Sequence, residues 1–181
     1  MLIARIAGAR VRLQIDVGFG DAVTPGAELV ALPSLLDAPA PRLLVYPRET
    51  VVAEKLEATV QLGIANSRMK DFHDLAVLAE KFVFDGTLLV RAVRATFARR
   101  GTPLPVGVPD GLARVFFDDA AKQAQWKAFA RKAGAGDLRS LADTVGVIVP
   151  FVMPVLTAAA SEAAWSAQWD AGGPWRAVAV R

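Results

Sequence analysis

The sequence contains no cysteine and a single histidine, His73, among its 181 residues. The absence of cysteine excludes disulfides, thiolate metal sites and a cysteine nucleophile, and it is typical of a reducing compartment. We therefore expect a cytoplasmic protein. One histidine excludes a multi-histidine zinc site and most His-dependent catalytic triads. Any bound metal would be held mainly by carboxylates, which favours a hard ion such as magnesium or manganese.

Long charged runs and long apolar runs are also scarce. The formal net charge is +3 and the arginines are scattered, so charge alone does not indicate a nucleic-acid-binding protein. The N-terminus lacks the uninterrupted apolar core of a signal peptide. The charge-free run at residues 144–161 is at the short limit for a membrane span, and Pro150 and Pro154 interrupt it. It predicts a buried turn followed by a core helix, and we expect no membrane partner.

Period-two alternation of polar and apolar residues predicts strands at the start of the chain. Residues 10–17 alternate between polar and apolar side chains, which predicts a half-buried strand. Its apolar face would carry Val11, Leu13, Ile15 and Val17. Short strands are also predicted at residues 28–32 and 43–46, with a proline-rich connection between them.

From Pro47 onward the apolar period becomes helical. The stripe of the first predicted helix consists of Val52, Leu56, Thr59 and Val60. A second helix, capped by Asn66 or Ser67, would turn inward Phe72, Leu75, Ala79 and Phe82. Further helices are predicted at residues 86–99, 118–133, 138–145 and about 150–169. Trp165 and Trp169 would anchor the last helix on the core. Strands followed by helices predict an α+β protein.

Polar residues concentrate in the second predicted helix, in NSRMKDFHDL (66–75). Asp71 and Asp74 project from one face, and Lys70 can pair with Asp74 four residues away. The simplest interpretation is a solvated helix face, with His73 packing rather than reacting.

Lys55 allows a second interpretation. It lies at the margin of the buried stripe, where a lysine either reaches water or meets an anion. A tight hairpin of the two helices would bring it near Asp71 or Asp74, and Asp16 projects from the first strand opposite its apolar face. A lysine and carboxylates from separate elements can hold a triphosphate and its metal ion. Spacing alone leaves both interpretations open.

Four stretches carry a resemblance to a known family, and they are QIDVGFGDAVTP (14–25), YPRETVVAEKLEA (46–58), NSRMKDFHDL (66–75) and GGPWR (172–176). Together they resemble the AbiEii/AbiGii-type nucleotidyltransferase toxins, which are the toxin halves of bacterial abortive-infection (phage-defence) and toxin–antitoxin pairs. The EKL helix followed by R-x-KDF-x-DL is the most specific part, because order, spacing and flanking residues all match.

The resemblance implies a polymerase-β-like nucleotidyltransferase core followed by a helical C-terminal bundle. Residues 1–46 would be the remainder of a short mixed nucleotidyltransferase sheet, and residues 47–181 the helical domain. Such an enzyme transfers a nucleotidyl group from a nucleoside triphosphate to an acceptor such as tRNA or a protein, with Mg²⁺. A cognate antitoxin would be its partner.

The resemblance also implies roles for individual residues. Asp16 corresponds to the third strand carboxylate, which binds metal or deprotonates the acceptor hydroxyl. Lys55 corresponds to the lysine that faces the triphosphate. Asp74, with Asp71 second, corresponds to the helix carboxylate that completes the site and orients the lysine.

Arg68, Lys70 and Asp71 are candidates for additional nucleotide contacts, and a surface role for Arg68 and Lys70 is equally open. Asp21 follows the turn at residues 18–20, and we interpret it as a loop residue.

The chain departs from the family at its first motif. It contains neither a Gly-Ser pair nor an Asp-x-Asp strand, which in the family supply phosphate-binding amides and two metal ligands. This chain therefore resembles the back two-thirds of such a protein, whether through a truncated gene, a late start codon or degradation. We expect weak metal affinity, exposed apolar sheet surface, and little or no activity of this chain alone. The alternatives are a noncatalytic remnant that binds an antitoxin and a generic helical binding module.

Overall fold

The structure is a computed structural model that describes residues 2–15, 17, 20–34, 37–133, 138–161 and 164–178. Strands in this part of the chain are β1 (Leu2–Ile6), β2 (Ala9–Leu13), β3 (Glu28–Ala31), β4 (Arg42–Val45), β5 (Phe84–Asp85), β6 (Ala167–Trp169) and β7 (Trp175–Ala177). Helices are α1 (Arg48–Leu62), α2 (Met69–Lys81), α3 (Gly86–Arg100), α4 (Arg114–Phe117), α5 (Ala120–Lys132) and α6 (Leu141–Ala160). The α+β class predicted from the sequence is confirmed.

The strands form three small antiparallel sheets, β1–β2, β3–β4 and β5–β6–β7, rather than the short mixed sheet we predicted. In the first sheet Ala7 and Gly8 both have positive φ, which is the backbone that a two-residue hairpin turn requires. Consecutive strands joined so tightly can pair only antiparallel. The division of the chain at residue 46 stays a prediction.

The apolar residues of the first predicted strand are exposed, not half-buried. β2 ends at Leu13, and the exposed fractions are 41% for Val11, 44% for Leu13, 68% for Ile15 and 69% for Val17. The prediction of a half-buried face was wrong because no second layer covers this face among the described residues. Exposed apolar surface on the N-terminal sheets was, however, expected from the missing first motif.

The core lies between the helices. α1 packs against α3, and α6 packs against α2 and α3. The predicted stripe of α1 is observed, with Val52, Leu56 and Thr59 fully buried. On α2 the side chains of Phe72 and Leu75 are also fully buried. The helical body therefore has its own apolar core, whose described members begin at Val52.

α6 is a single helix of 20 residues that passes through Pro150 and Pro154. We predicted separate helices at 138–145 and about 150–169, and this was wrong. Proline fixes φ at a helical value and removes only one hydrogen bond, so burial of one side of the helix can offset its cost. Among the buried residues are Val145, Ile148, Phe151, Val152, Val155 and Leu156. The helix is long and apolar enough to cross a membrane, but its buried side forms the core of this structure.

Residues 164–178, the described part of the chain beyond α6, contain strands and turns and no helix. Trp169 lies in β6, between β5 and β7, and Trp165 precedes that strand. The two tryptophans do pack on the core, but as part of a ring cluster with Phe151 and Trp175 and not from a helix. A helix predicted at 118–133 is confirmed as α5, shorter by two residues at its start and one at its end.

Candidate functional site

Lys55 lies between two carboxylates of the neighbouring helix. Its Nζ is 2.6 Å from Asp71 Oδ1 and 2.9 Å from Asp74 Oδ2. The three side chains are 17%, 16% and 24% exposed, so the cluster is largely buried but still reaches solvent. The proximity that the helix hairpin predicted is therefore observed, and Asp71 contacts the lysine as closely as Asp74 does.

The pKa values of Lys55 and Asp74 are shifted away from neutral pH. Burial alone would lower the pKa of Lys55, but the hydrogen bonds to Asp71 and Asp74 outweigh burial and raise the pKa above its usual value. Burial would likewise raise the pKa of Asp74, but hydrogen bonds from Lys55 and Lys70 outweigh it and lower that pKa. Neither group is suited to exchange protons near pH 7, so the lysine acts as a permanent cation.

An ammonium group carries three N–H donors, and two of those of Lys55 are directed at Asp71 and Asp74. The remaining donor is available for an anionic ligand. The two carboxylates fix the position of Nζ, which reduces the entropy lost when such a ligand binds.

Two further cations stand at the rim of the cluster. Lys70 Nζ is 2.5 Å from Asp74 Oδ2, and Arg68 Nη1 is 3.9 Å from Asp71 Oδ2. Their side chains are 71% and 62% exposed. Three cations therefore face two carboxylates, and the net charge of the cluster is +1. A positive excess at a partly open site favours an anion.

An open cavity of about 650 Å³ adjoins this rim, between the start of α2 and α5. Arg68, Lys70 and Asp71 line it on one side, and Phe129 and Lys132 on the other. His73 packs against Phe129, with ring centroids 5.8 Å apart, in agreement with the packing role predicted for it.

The loop that precedes α2 is fixed by buried polar contacts. Asn66 is fully buried, and its Oδ1 accepts a hydrogen bond of 2.8 Å from the backbone N–H of Arg68. Lys122 of α5 donates to the backbone carbonyl of Asn66 at 2.9 Å and lies 5.4 Å from the ring centroid of Phe116. Asn66 or Ser67 was predicted to cap α2, and this was wrong, because the cap position is Arg68, which has no side-chain capping hydrogen bond, and Asn66 instead fixes the preceding loop. Lys122 was missed, because nothing in the charge pattern of α5 distinguishes it from the exposed lysines there.

The opposite side of α1 carries a second polar network that the sequence analysis missed. Glu57 is fully buried and accepts hydrogen bonds from Arg100 at 2.6 Å and from the hydroxyl of Thr102. Arg100 also lies 3.9 Å from Asp21 and 4.0 Å from Glu54. A signal was present in the sequence, because Glu57 falls on the same helix face as Ala53 and Val60, where an acid requires a partner.

Residues 20–24, which follow the first two strands, contact this same side of the helical body. Arg99 donates to the backbone carbonyl of Gly20, and Thr50 exchanges hydrogen bonds of 3.1 and 3.0 Å with the backbone of Thr24. With the Asp21–Arg100 pair, these contacts join residues 20–24 to α1 and α3. Asp21 thus has the loop role predicted for it.

Asp16, the predicted metal ligand, lies outside the described residues. Its convergence with Lys55 and Asp74 stays a prediction.

The described residues do not by themselves form a magnesium site. In this part of the chain, no three His, Cys, Asp or Glu side chains lie together in a way that could hold a metal ion. Asp71 and Asp74, the nearest pair, already hold the ammonium of Lys55. The Mg²⁺ prediction therefore depends on Asp16.

The fold and site define an α+β protein with a helical body and small sheets, in which a fixed lysine lies between two carboxylates beside a cationic rim. The family model of the nucleotidyl transferase AbiEii toxin of type IV toxin–antitoxin systems matches residues 1–147, and the chain belongs to this family. This confirms the resemblance, although the GGPWR stretch lies outside the matched range. The match makes the protein a nucleotidyltransferase toxin by family, with a nucleoside triphosphate and a cognate antitoxin as its implied partners. No curated protein and no solved structure matches the chain.

Proposed function

We propose that this chain binds the triphosphate of a nucleoside triphosphate at Lys55 and takes part in cytoplasmic transfer of the nucleotidyl group to an acceptor such as tRNA. The observation that carries the proposal is the placement of Lys55 Nζ between Asp71 and Asp74, with one donor left for a phosphate oxygen. Arg68 and Lys70 are at the rim, where they would contact the outer phosphates.

Transfer itself is expected to be weak in this chain alone. Magnesium would neutralise phosphate charge when bound, but only Asp16 is a candidate ligand from the strand region, and the sequence has no Asp-x-Asp. The described residues can bind and orient a triphosphate, while deprotonation of the acceptor hydroxyl is assigned to Asp16. The missing motif also favours a second candidate function, in which the chain binds nucleotide or a cognate antitoxin without catalysis.

Nucleotide binding is the direct test, since it does not require catalysis. Titration calorimetry with ATP and GTP should show binding by the wild type. Lys55→Ala should weaken it about 10- to 100-fold, because a hydrogen bond between charged groups contributes roughly 1.5–3 kcal/mol. Lys127→Ala removes an equal charge from an exposed position on α5 and should bind like the wild type.

Equal affinities of wild type and Lys55→Ala would overturn the assignment. Transfer of labelled nucleotide to tRNA with Mg²⁺ then separates the two candidate functions. Label on the acceptor that is lost in Asp16→Ala supports the transferase. Binding without transfer supports the noncatalytic alternative.

A further inference from the structure

The β1–β2 hairpin carries three exposed arginines on one face. In the strand register Arg5 lies directly opposite Arg10, and Arg12 lies opposite Ile3. Residues two apart on a strand share a face, so Arg5, Arg10 and Arg12 project from the same side. Scattered in the sequence, these arginines become one cationic surface through the hairpin pairing. We call it the arginine face.

Within the described residues, no acidic side chain pairs with the arginine face. Residues 2–15 contain neither aspartate nor glutamate, and none of the three arginines forms an ion pair within the described part of the chain. Like charges placed directly opposite on neighbouring strands destabilise a hairpin. Two strands alone are also marginally stable in water. An anion seated between Arg5 and Arg10 would remove that repulsion, so the face is more stable when occupied by negative charge.

We infer that the arginine face binds the phosphate backbone of an RNA strand. Guanidinium groups match phosphate oxygens in a bidentate manner, and all three cations of the hairpin are arginines. An acidic protein segment that added a strand would instead contact the hairpin edge through its backbone. The arginine side chains project from a face and suit a ligand that carries repeated charges across that face.

This inference adds an acceptor-binding surface to the proposed function, and both the choice of RNA over DNA and its identification as the acceptor rest on that function. Binding itself is measured without nucleotide. Fluorescence anisotropy of a labelled single-stranded RNA, at a series of salt concentrations, is compared for wild type and R5Q/R10Q/R12Q. The control is K81Q/K127Q/R131Q, which removes three exposed cations from α2 and α5. Both triple variants change the net charge from +3 to 0, since 3 − 3 = 0.

The expected result is a change in salt dependence. Each neutralised phosphate of a single strand contributes a slope of roughly −0.7 to log Kobs against log salt, so three contacts contribute about −2. Between about 50 and about 200 mM salt, the wild type should lose roughly 20-fold more affinity than R5Q/R10Q/R12Q. The helix control should keep the wild-type slope. R5K/R10K/R12K, which keeps the charges, should keep most of it.

Three outcomes would overturn the inference. The first is equal slopes for wild type and R5Q/R10Q/R12Q, or loss of the slope in the helix control instead. The second is loss of binding in R5K/R10K/R12K together with an altered far-UV circular dichroism spectrum, which would show that hairpin folding rather than charge is needed. The third is a polyglutamate peptide that binds as tightly as RNA, since this would identify an acidic protein as the ligand. Lys55→Ala should bind RNA normally, so failure of the nucleotide site and failure of the arginine face are distinguishable.

Discussion

Arg100 donates a hydrogen bond of 2.6 Å to Glu57, a carboxylate whose side chain has no exposed surface. The side chain of Arg100 remains 34% exposed, so the ion pair joins the surface of α3 to the interior of α1. The hydroxyl of Thr102 donates to the second carboxylate oxygen. A buried charge is tolerated only with such partners, because its desolvation costs several kcal/mol.

Removal of Arg100 should therefore be strongly destabilising. Arg100→Met leaves the buried carboxyl group of Glu57 without its cationic partner, and we expect the free energy of unfolding in urea to fall by about 3–5 kcal/mol. The double variant E57Q/R100M removes both charges and should recover a large part of the loss. A loss below about 1 kcal/mol for Arg100→Met, which is the range of exposed ion pairs, would contradict this interpretation.

The Lys55 cluster should stabilise the protein only within a defined pH range. The pKa of Asp74 is lowered in the folded state, so its contribution is present above the unfolded pKa of about 4 and is lost as the pH falls through the lower folded value. The pKa of Lys55 is raised, so its contribution is complete below about pH 10.4 and is lost as the pH rises through the higher folded value.

Urea denaturation of wild type and Lys55→Met at a series of pH values measures this contribution. The stability difference should be constant between about pH 6 and pH 9 and should shrink toward both extremes. Asp74→Asn in the wild-type background should remove part of the acid-side dependence. A difference that changes steeply near pH 7 would show that another group titrates with the cluster.

Much of the helical site was predictable from the sequence. Helical periodicity located α1 and α2, and a tight hairpin of the two helices was expected to bring Lys55 near Asp71 or Asp74, both of which it contacts. Charge pairs at a spacing of four residues predicted the Lys70–Asp74 contact. These features involve residues close together in the sequence, and helical periodicity is a pattern of just such short stretches.

Contacts between distant segments were not predictable in the same way. Lys122 reaches Asn66 across 56 positions, and Arg100 reaches Glu57 across 43. The continuity of α6 through Pro150 depends on how much of its apolar side is buried, which the proline itself does not reveal. The arginine face was also missed, because only the strand register places Arg5 opposite Arg10.

Two glycines of the C-terminal part should respond oppositely to alanine. Gly173 has φ of +80°, and an added Cβ would lie 2.6 Å from the ring of Trp169. Gly173→Ala should therefore lower the free energy of unfolding by more than the roughly 1–2 kcal/mol of the left-handed backbone alone. Gly146 is exposed within α6, and an added Cβ would meet nothing within 4 Å. Gly146→Ala should raise the stability by about 0.5–1 kcal/mol.

Thermal denaturation followed at 222 nm compares the two variants. The wild type lies between them if the backbone and packing arguments are both right. A Gly173→Ala protein as stable as the wild type would contradict the packing argument. Trp169 would then have to move, although its indole N–H donates a buried hydrogen bond of 2.6 Å to the carbonyl of Ala79.

Pro150 should weaken α6 although the helix passes through it. A proline in a helix interior has no N–H to donate to the carbonyl four residues earlier, here that of Gly146, and its ring crowds that carbonyl. The side chain of Pro150 is exposed, so its replacement removes no core packing. Pro150→Ala should restore the hydrogen bond and raise the free energy of unfolding by about 1–3 kcal/mol, which corresponds to roughly 2–12 °C in Tm.

Pro103→Ala is the matched control for Pro150→Ala. Pro103 is an exposed loop residue between α3 and α4, where proline limits the unfolded chain without breaking a helix bond. Its replacement should lower the stability by up to about 1 kcal/mol, opposite in sign to the effect on α6. If both variants lower Tm, the carbonyl of Gly146 is already satisfied by another donor, and the cost of Pro150 is smaller than helix geometry implies. If only Pro103→Ala lowers Tm, Pro150 does cost a helix hydrogen bond, which alanine restores and which burial of α6 offsets in the wild type.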